Sequence, residues 1–154
     1  MITREEIMRK TYRFLGLLVA LAVVVQASAI AFGTFGFINE VDRGTVFTPS
    51  SDAPNFGPML HAINGTMVIP LLSLALLIVS FFAKVPRGIR WALLVLLAVI
   101  VQISLGYFSF DTPAIGLLHG ANAFAVLGLA LTAARAAARE APVPAAAAVE
   151  QAIV

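Results

Sequence analysis

Cysteine is absent from this 154-residue chain, and charge is scarce: only 12% of its residues are Asp, Glu, Lys or Arg. The missing thiol excludes disulfides, thiolate metal sites and cysteine nucleophiles together. The charged share is about half that of soluble domains. Histidine occurs only at His61 and His119. What fills the chain instead is apolar: 60% of residues are hydrophobic, and the mean hydropathy is +0.97.

The apolar residues fall into four uncharged runs, at about 14–38, 58–83, 91–110 and 113–134. Each is long enough for a membrane span, which needs about 20 apolar residues. The expected fold is all-α: a four-helix transmembrane bundle occupying residues 1–136 as one domain. "AAAREAPVPAAAAVEQAIV" begins at Ala136, and 137–154 is expected to be a low-complexity cytoplasmic tail. The first run exceeds the 7–15 residues of a signal-peptide core, so it is expected to stay as a span although Ala27-Ser28-Ala29 resembles a cleavage site.

Nine of the ten basic residues cluster before the first run, between the second and third, and after the fourth; only Arg43 lies on the other side. Basic residues are retained in the cytoplasm during insertion. Both termini are therefore expected there, in a plasma membrane that the Ala-rich composition suggests is bacterial. The net charge of +2 reports orientation, and the expected partner is the lipid bilayer rather than nucleic acid. The loop of about 39–57, "NEVDRGTVFTPSSDAPNFG", carries turn-forming residues and is long enough to cap an outward-facing site.

The chain also repeats itself. "AVVVQAS" at 22–28 returns as "AVIVQIS" at 98–104, which aligns Gln26 with Gln102 and Phe32 with Phe108. "LHAIN" at 60–64 returns as "LHGAN" at 118–122, which aligns His61 with His119 and Asn64 with Asn122. Two tandem helical hairpins, 10–84 and 87–136, are expected, related by a pseudo-twofold axis along the membrane normal. Such an axis holds both histidines at one depth, near the outer starts of the returning helices, facing each other across the bundle.

Two imidazoles with no acidic residue anywhere in the apolar runs exclude a carboxylate di-iron site and a three-ligand hydrolytic zinc site. They suit axial ligation of a haem iron from both sides, so His61 and His119 are the expected metal ligands and haem b the expected cofactor. Gly65 and Gly120, with Gly116, give a flat ring room against the backbone. Asn64 and Asn122 share a helical face with the histidines; they either orient the ligands or act as interhelical polar glue, the role assigned to Gln26 and Gln102. Pro70 is expected to kink its span. Phe32, Phe35, Phe37, Tyr107, Phe108 and Phe110 either wall a haem or form an interfacial aromatic belt. Arg43, the one outward cation, is a candidate partner for haem propionates, which solvent would serve equally well.

A bis-His haem near the outer leaflet points to a small b-type cytochrome passing electrons to or from quinone or a respiratory complex. A cofactor-free accessory subunit, or a haem or porphyrin carrier, would fit the same composition.

The His-x-x-Asn pairs, the basic connection "KVPRGIR", and the motifs "VQISLG" and "LHGANAF" resemble one half of haem A synthase. They are similar too to small uncharacterised four-helix membrane proteins of the same pattern. The resemblance spans roughly residues 10–136 and implies a haem held by histidines of the second and fourth helices, His61 and His119. It also has departures: Pro58 stands where that family has its catalytic acid, the loop cysteines are absent and there is no second bundle. Hydroxylase chemistry is therefore not expected, nor an enzyme by itself. A homodimer would imitate the two-bundle synthase.

Overall fold

The computed structural model describes residues 2–138, and every regular element among them is helical. Four helices are each long and apolar enough to cross a membrane: α1 (Arg4–Asp42), α2 (Gly57–Ser80), α3 (Gly88–Asp111) and α4 (Ile115–Ala138). The helices outrun the uncharged segments at most ends, because backbone bonding continues past the apolar stretch. At the start of α1, the Thr3 side chain accepts the Glu6 amide at 3.2 Å. Glu5 and Glu6 sit in that first turn and complement the helix dipole. α2 stops earlier than 83: the amides of Phe82 and Ala83 both turn back to the Val79 carbonyl. Of the proposed tail, Ala137 and Ala138 belong to α4, and the remainder lies outside the described residues.

α2 is not regularly wound. Proline at position 70 has no amide to give the Thr66 carbonyl, and its ring would strike that carbonyl in an ideal helix. The chain answers with a π-helical turn at Asn64–Val68. There the Ile69 amide reaches back five residues to the Asn64 carbonyl. The distortion expected at Pro70 is thus a widened turn just ahead of it.

Contacts at the basic end tie all four helices together. Tyr12 donates its hydroxyl to the Gly88 carbonyl at 2.9 Å, Arg9 donates to the Ala137 carbonyl at 2.7 Å, and Lys84 pairs with Glu5 at 3.1 Å. Above them lies the core, with Val19, Leu76, Val95, Val99 and Val126 among its fully buried side chains. Small residues let the backbones approach: a Cβ on Gly16 would stand 3.1 Å from the Ala130 carbonyl oxygen. Elsewhere large apolar side chains such as Phe14, Leu71 and Leu97 point outward, as lipid-facing positions require.

The core is confined to the basic half. No residue between 100 and 125 is buried. In the other hairpin, Ala29, Gly33 and Gly57 are buried beyond the glutamine level and seam α1 to α2. The long connection does not cap the end of the bundle as expected. Apart from bonds within itself, it folds back on α1: Asn55 donates to the Phe32 carbonyl at 3.0 Å, and Phe47 meets Phe37 edge-on with centroids 4.8 Å apart. The two hairpins are therefore tied below and loosely packed above.

Candidate functional site: two histidines between the hairpins

His61 stands one turn into α2, where Pro58 at the helix start sets the backbone direction. Its Nδ1 lies 3.1 Å from the main-chain oxygen of Gln26 on α1. A carbonyl only accepts, so Nδ1 carries the proton and Nε2 keeps its lone pair. The Gln26 side chain returns the contact, donating to the His61 carbonyl at 2.8 Å. Asn64 holds that amide in place, donating from Nδ2 to Gln26 Oε1 at 2.9 Å and to the Ala22 carbonyl at 2.8 Å.

The second hairpin makes the same set of bonds. His119 Nδ1 faces the Gln102 main-chain oxygen at 3.0 Å, and Gln102 Nε2 donates to the His119 carbonyl at 3.0 Å. Asn122 Nδ2 donates to Gln102 Oε1 at 2.8 Å and to the Ala98 carbonyl at 2.9 Å. One contact has no counterpart in the first hairpin: Gln102 Nε2 also lies 3.2 Å from His119 Nε2, an amide donating to the imidazole lone pair. The two rings face each other with centroids 6.3 Å apart and planes inclined by 54°.

The asparagines thus act one step away from the imidazoles. They fix the glutamine amides and bind the hairpins, and neither bonds a histidine directly. Asn64 is 5% exposed, whereas Asn122 is half-buried. Asn64→Ala is therefore expected to lower stability by about 2 kcal/mol, by orphaning Gln26 Oε1 away from solvent, and Asn122→Ala by about 1 kcal/mol. Thermal unfolding of both variants in detergent checks the order.

The glycines divide. Gly65 faces the Gln26 amide so closely that a Cβ there would collide with Nε2. Its smoothness admits the glutamine, not a flat ring. Gly116 meets only Ser109 Oγ, at 3.8 Å, and Gly120 meets nothing within 4 Å. Gly106 on α3, which the sequence alone did not single out, lies under the His119 ring: a Cβ there would come within 3.2 Å of Cε1. Its one signal in the sequence is its place a helical turn after Gln102. A cavity of about 30 Å³ lies against both glutamine side chains and is otherwise lined by residues such as Gly65, Val23, Val99 and Val126. It is roomy enough for a water molecule.

Arg43 is not brought to the pair. It follows Gln26 by 17 residues, or about 25 Å of helix at 1.5 Å per residue. It is exposed and pairs with Glu40 at 3.4 Å. The aromatics expected to wall the site are mostly exposed, Phe35 at 70% and Phe110 at 85%, as a belt would be. Position along the helices differs as well. Gln26, the partner of His61, stands midway along the uncharged run 14–38 although α2 has barely begun at His61. The reason is that α1 overhangs the start of α2.

Among the described residues, no three His, Cys, Asp or Glu side chains converge. A metal held here would have two protein ligands and would have to bring its other donors with it. Comparison with protein-family models, curated proteins and solved structures gives no match.

Proposed function

We propose that the chain is a small membrane cytochrome of b type, with a haem iron held axially by His61 and His119 between two hairpin repeats. The observation that carries this reading is the pair of oriented imidazoles. Each ring spends its Nδ1–H on a main-chain carbonyl, which is the contact that orients metal-bound histidines and raises their basicity. The spacing agrees: two metal–imidazole bonds of about 2 Å, extended to the ring centres, separate the centroids by roughly 6 Å. A porphyrin would supply the four remaining donors.

The parallel hydrogen-bond sets at His61 and His119 support a pseudo-twofold axis along the membrane normal. The basic residues support cytoplasmic termini, and on that orientation the haem would sit toward the outer leaflet with its propionates outward. Bound there, haem supplies a one-electron couple. The chain's own part is to hold both ligands rigid through the glutamine carbonyls, so that the iron keeps its surroundings in both oxidation states. Lipid around the apolar helices would keep water from the couple. Quinone, or a respiratory subunit within the bilayer, is the partner such a couple would serve. The resemblance to one half of haem A synthase agrees with the scaffold, and Pro58 in place of an acid agrees with transfer rather than hydroxylation.

The test is a dithionite-reduced minus oxidised visible spectrum of protein purified after expression with ample haem. Sharp α and β bands are expected. A flat spectrum from folded protein overturns the reading and leaves the repeated histidines as interhelical structure in an accessory subunit.

A further inference from the structure

Resting on that reading, we infer that the two axial ligands are unequal: His119 is the displaceable one, and a diatomic π-acceptor ligand, with carbon monoxide as the probe, takes its place on iron. Three observations converge on His119 and none on His61. Gln102 Nε2 stands 3.2 Å from His119 Nε2, so an amide N–H competes with the metal for that lone pair. This amide cannot easily turn away, since Asn122 holds the oxygen of the same group at 2.8 Å and the His119 carbonyl takes a second N–H at 3.0 Å. In the first hairpin Gln26 Nε2 donates to the His61 carbonyl and the Gln26 main-chain oxygen accepts from His61 Nδ1, with no hydrogen bond to Nε2.

The space around the rings differs in the same sense. Gly106 sets no Cβ against the His119 ring, where one would come within 3.2 Å of Cε1, whereas the matching position four residues after Gln26 holds Ile30. The framework differs too. His61 is anchored by buried Asn64 and by the α1–α2 seam at Gly33 and Gly57, while nothing between 100 and 125 is buried. A tightly held ligand and a loosely held one make a haem that opens on one side only.

The step is a ligand exchange with no change in electron count. With haem held by both histidines, His119 would give up its bond to iron as the iron–carbon bond formed. The freed Nε2 lone pair accepts the Gln102 N–H already beside it, and no proton leaves the protein.

The experiment is carbon monoxide titration of the reduced protein, with infrared reading of the C–O stretch, on wild type, Gln102→Leu and Gln26→Leu. Both variants lose the same bonds between helices, so Gln26→Leu is the matched reference. Gln102→Leu is expected to bind carbon monoxide about three- to tenfold more weakly than Gln26→Leu, the effect of one neutral hydrogen bond. Its C–O band should shift little, because both N–H groups of the Gln102 amide are taken by His119 and neither bonds the ligand. Should Gln102→Leu fail to fold, Gly106→Ala removes no hydrogen-bonding group and presses a Cβ on the His119 ring from behind, and weaker binding than wild type is again expected. A low-spin haem that ignores carbon monoxide, or equal affinities in the two glutamine variants, overturns the inequality and leaves the cytochrome. Protein without haem overturns both.

Discussion

Alanine in place of either His61 or His119 is expected to abolish the low-spin spectrum while leaving the helices folded. Under the proposed ligation each substitution removes one iron ligand, and in either case it removes one bond from Nδ1 to a glutamine main-chain oxygen. It leaves the glutamine amide on the histidine-position carbonyl and the asparagine on the glutamine, because those bonds use main chain and other side chains. The bundle therefore keeps most of what joins α1 to α2 and α3 to α4. Changes to residues that merely support a metal ligand typically cost 10–100-fold in affinity, so loss of a ligand should exceed that range. Haem that remains would be five-coordinate and high-spin, with broad bands. The measurement is haem content per protein with the reduced and oxidised spectra, and circular dichroism as the folding control. An unchanged low-spin spectrum in either variant would show that the histidine concerned is not axial.

Gly57→Val is expected to be the most damaging single change to stability among the positions discussed. A Cβ at Gly57 would stand 2.5 Å from the Ala29 carbonyl oxygen and 2.6 Å from the Gly33 nitrogen. Both are main-chain atoms inside α1, so no rotamer change relieves the collision, and the start of α2 must move away. Overpacking of this kind costs about 3 kcal/mol or more at its upper end. The displacement lies one turn from His61 and should carry its ring off the Gln26 carbonyl, lowering haem content with stability. Gly128→Ala is the contrast, since nothing lies within 4 Å of a Cβ there, and an alanine inside a helix gains about 0.5–1 kcal/mol over glycine. Thermal unfolding in detergent should separate the two by several degrees in opposite directions. Equal melting temperatures would mean that the α1–α2 seam does not limit stability.

Much of the fold is legible without coordinates because a bilayer leaves few choices. Uncharged runs such as 91–110 must bond their own backbones, and α3 (Gly88–Asp111) contains that run entirely. The histidines were legible because they are the sole pair and share a five-residue frame. Their surroundings were less so. Glutamine at 26 and 102 reads as generic polar glue, since sequence cannot show that its main-chain oxygen, not only its amide, meets an imidazole. Gly65 reads as room for a ring because a missing side chain does not say which neighbour needs the space. Arg43 reads as a near neighbour because it is the only cation on its side, and the continuation of α1 past Gln26 removes it.

By itself, then, the sequence determined that this is a chain of four helices able to cross a membrane, with two matched histidines on the returning ones. Composition and charge placement suffice for that, as they act residue by residue along one dimension. Only the tertiary structure decided how the imidazoles are held, how far apart they stand, and that Gln102 and Gly106 treat His119 unlike His61. Those properties depend on contacts between segments many residues apart. There, small differences such as Ile30 against Gly106 separate two similar frames.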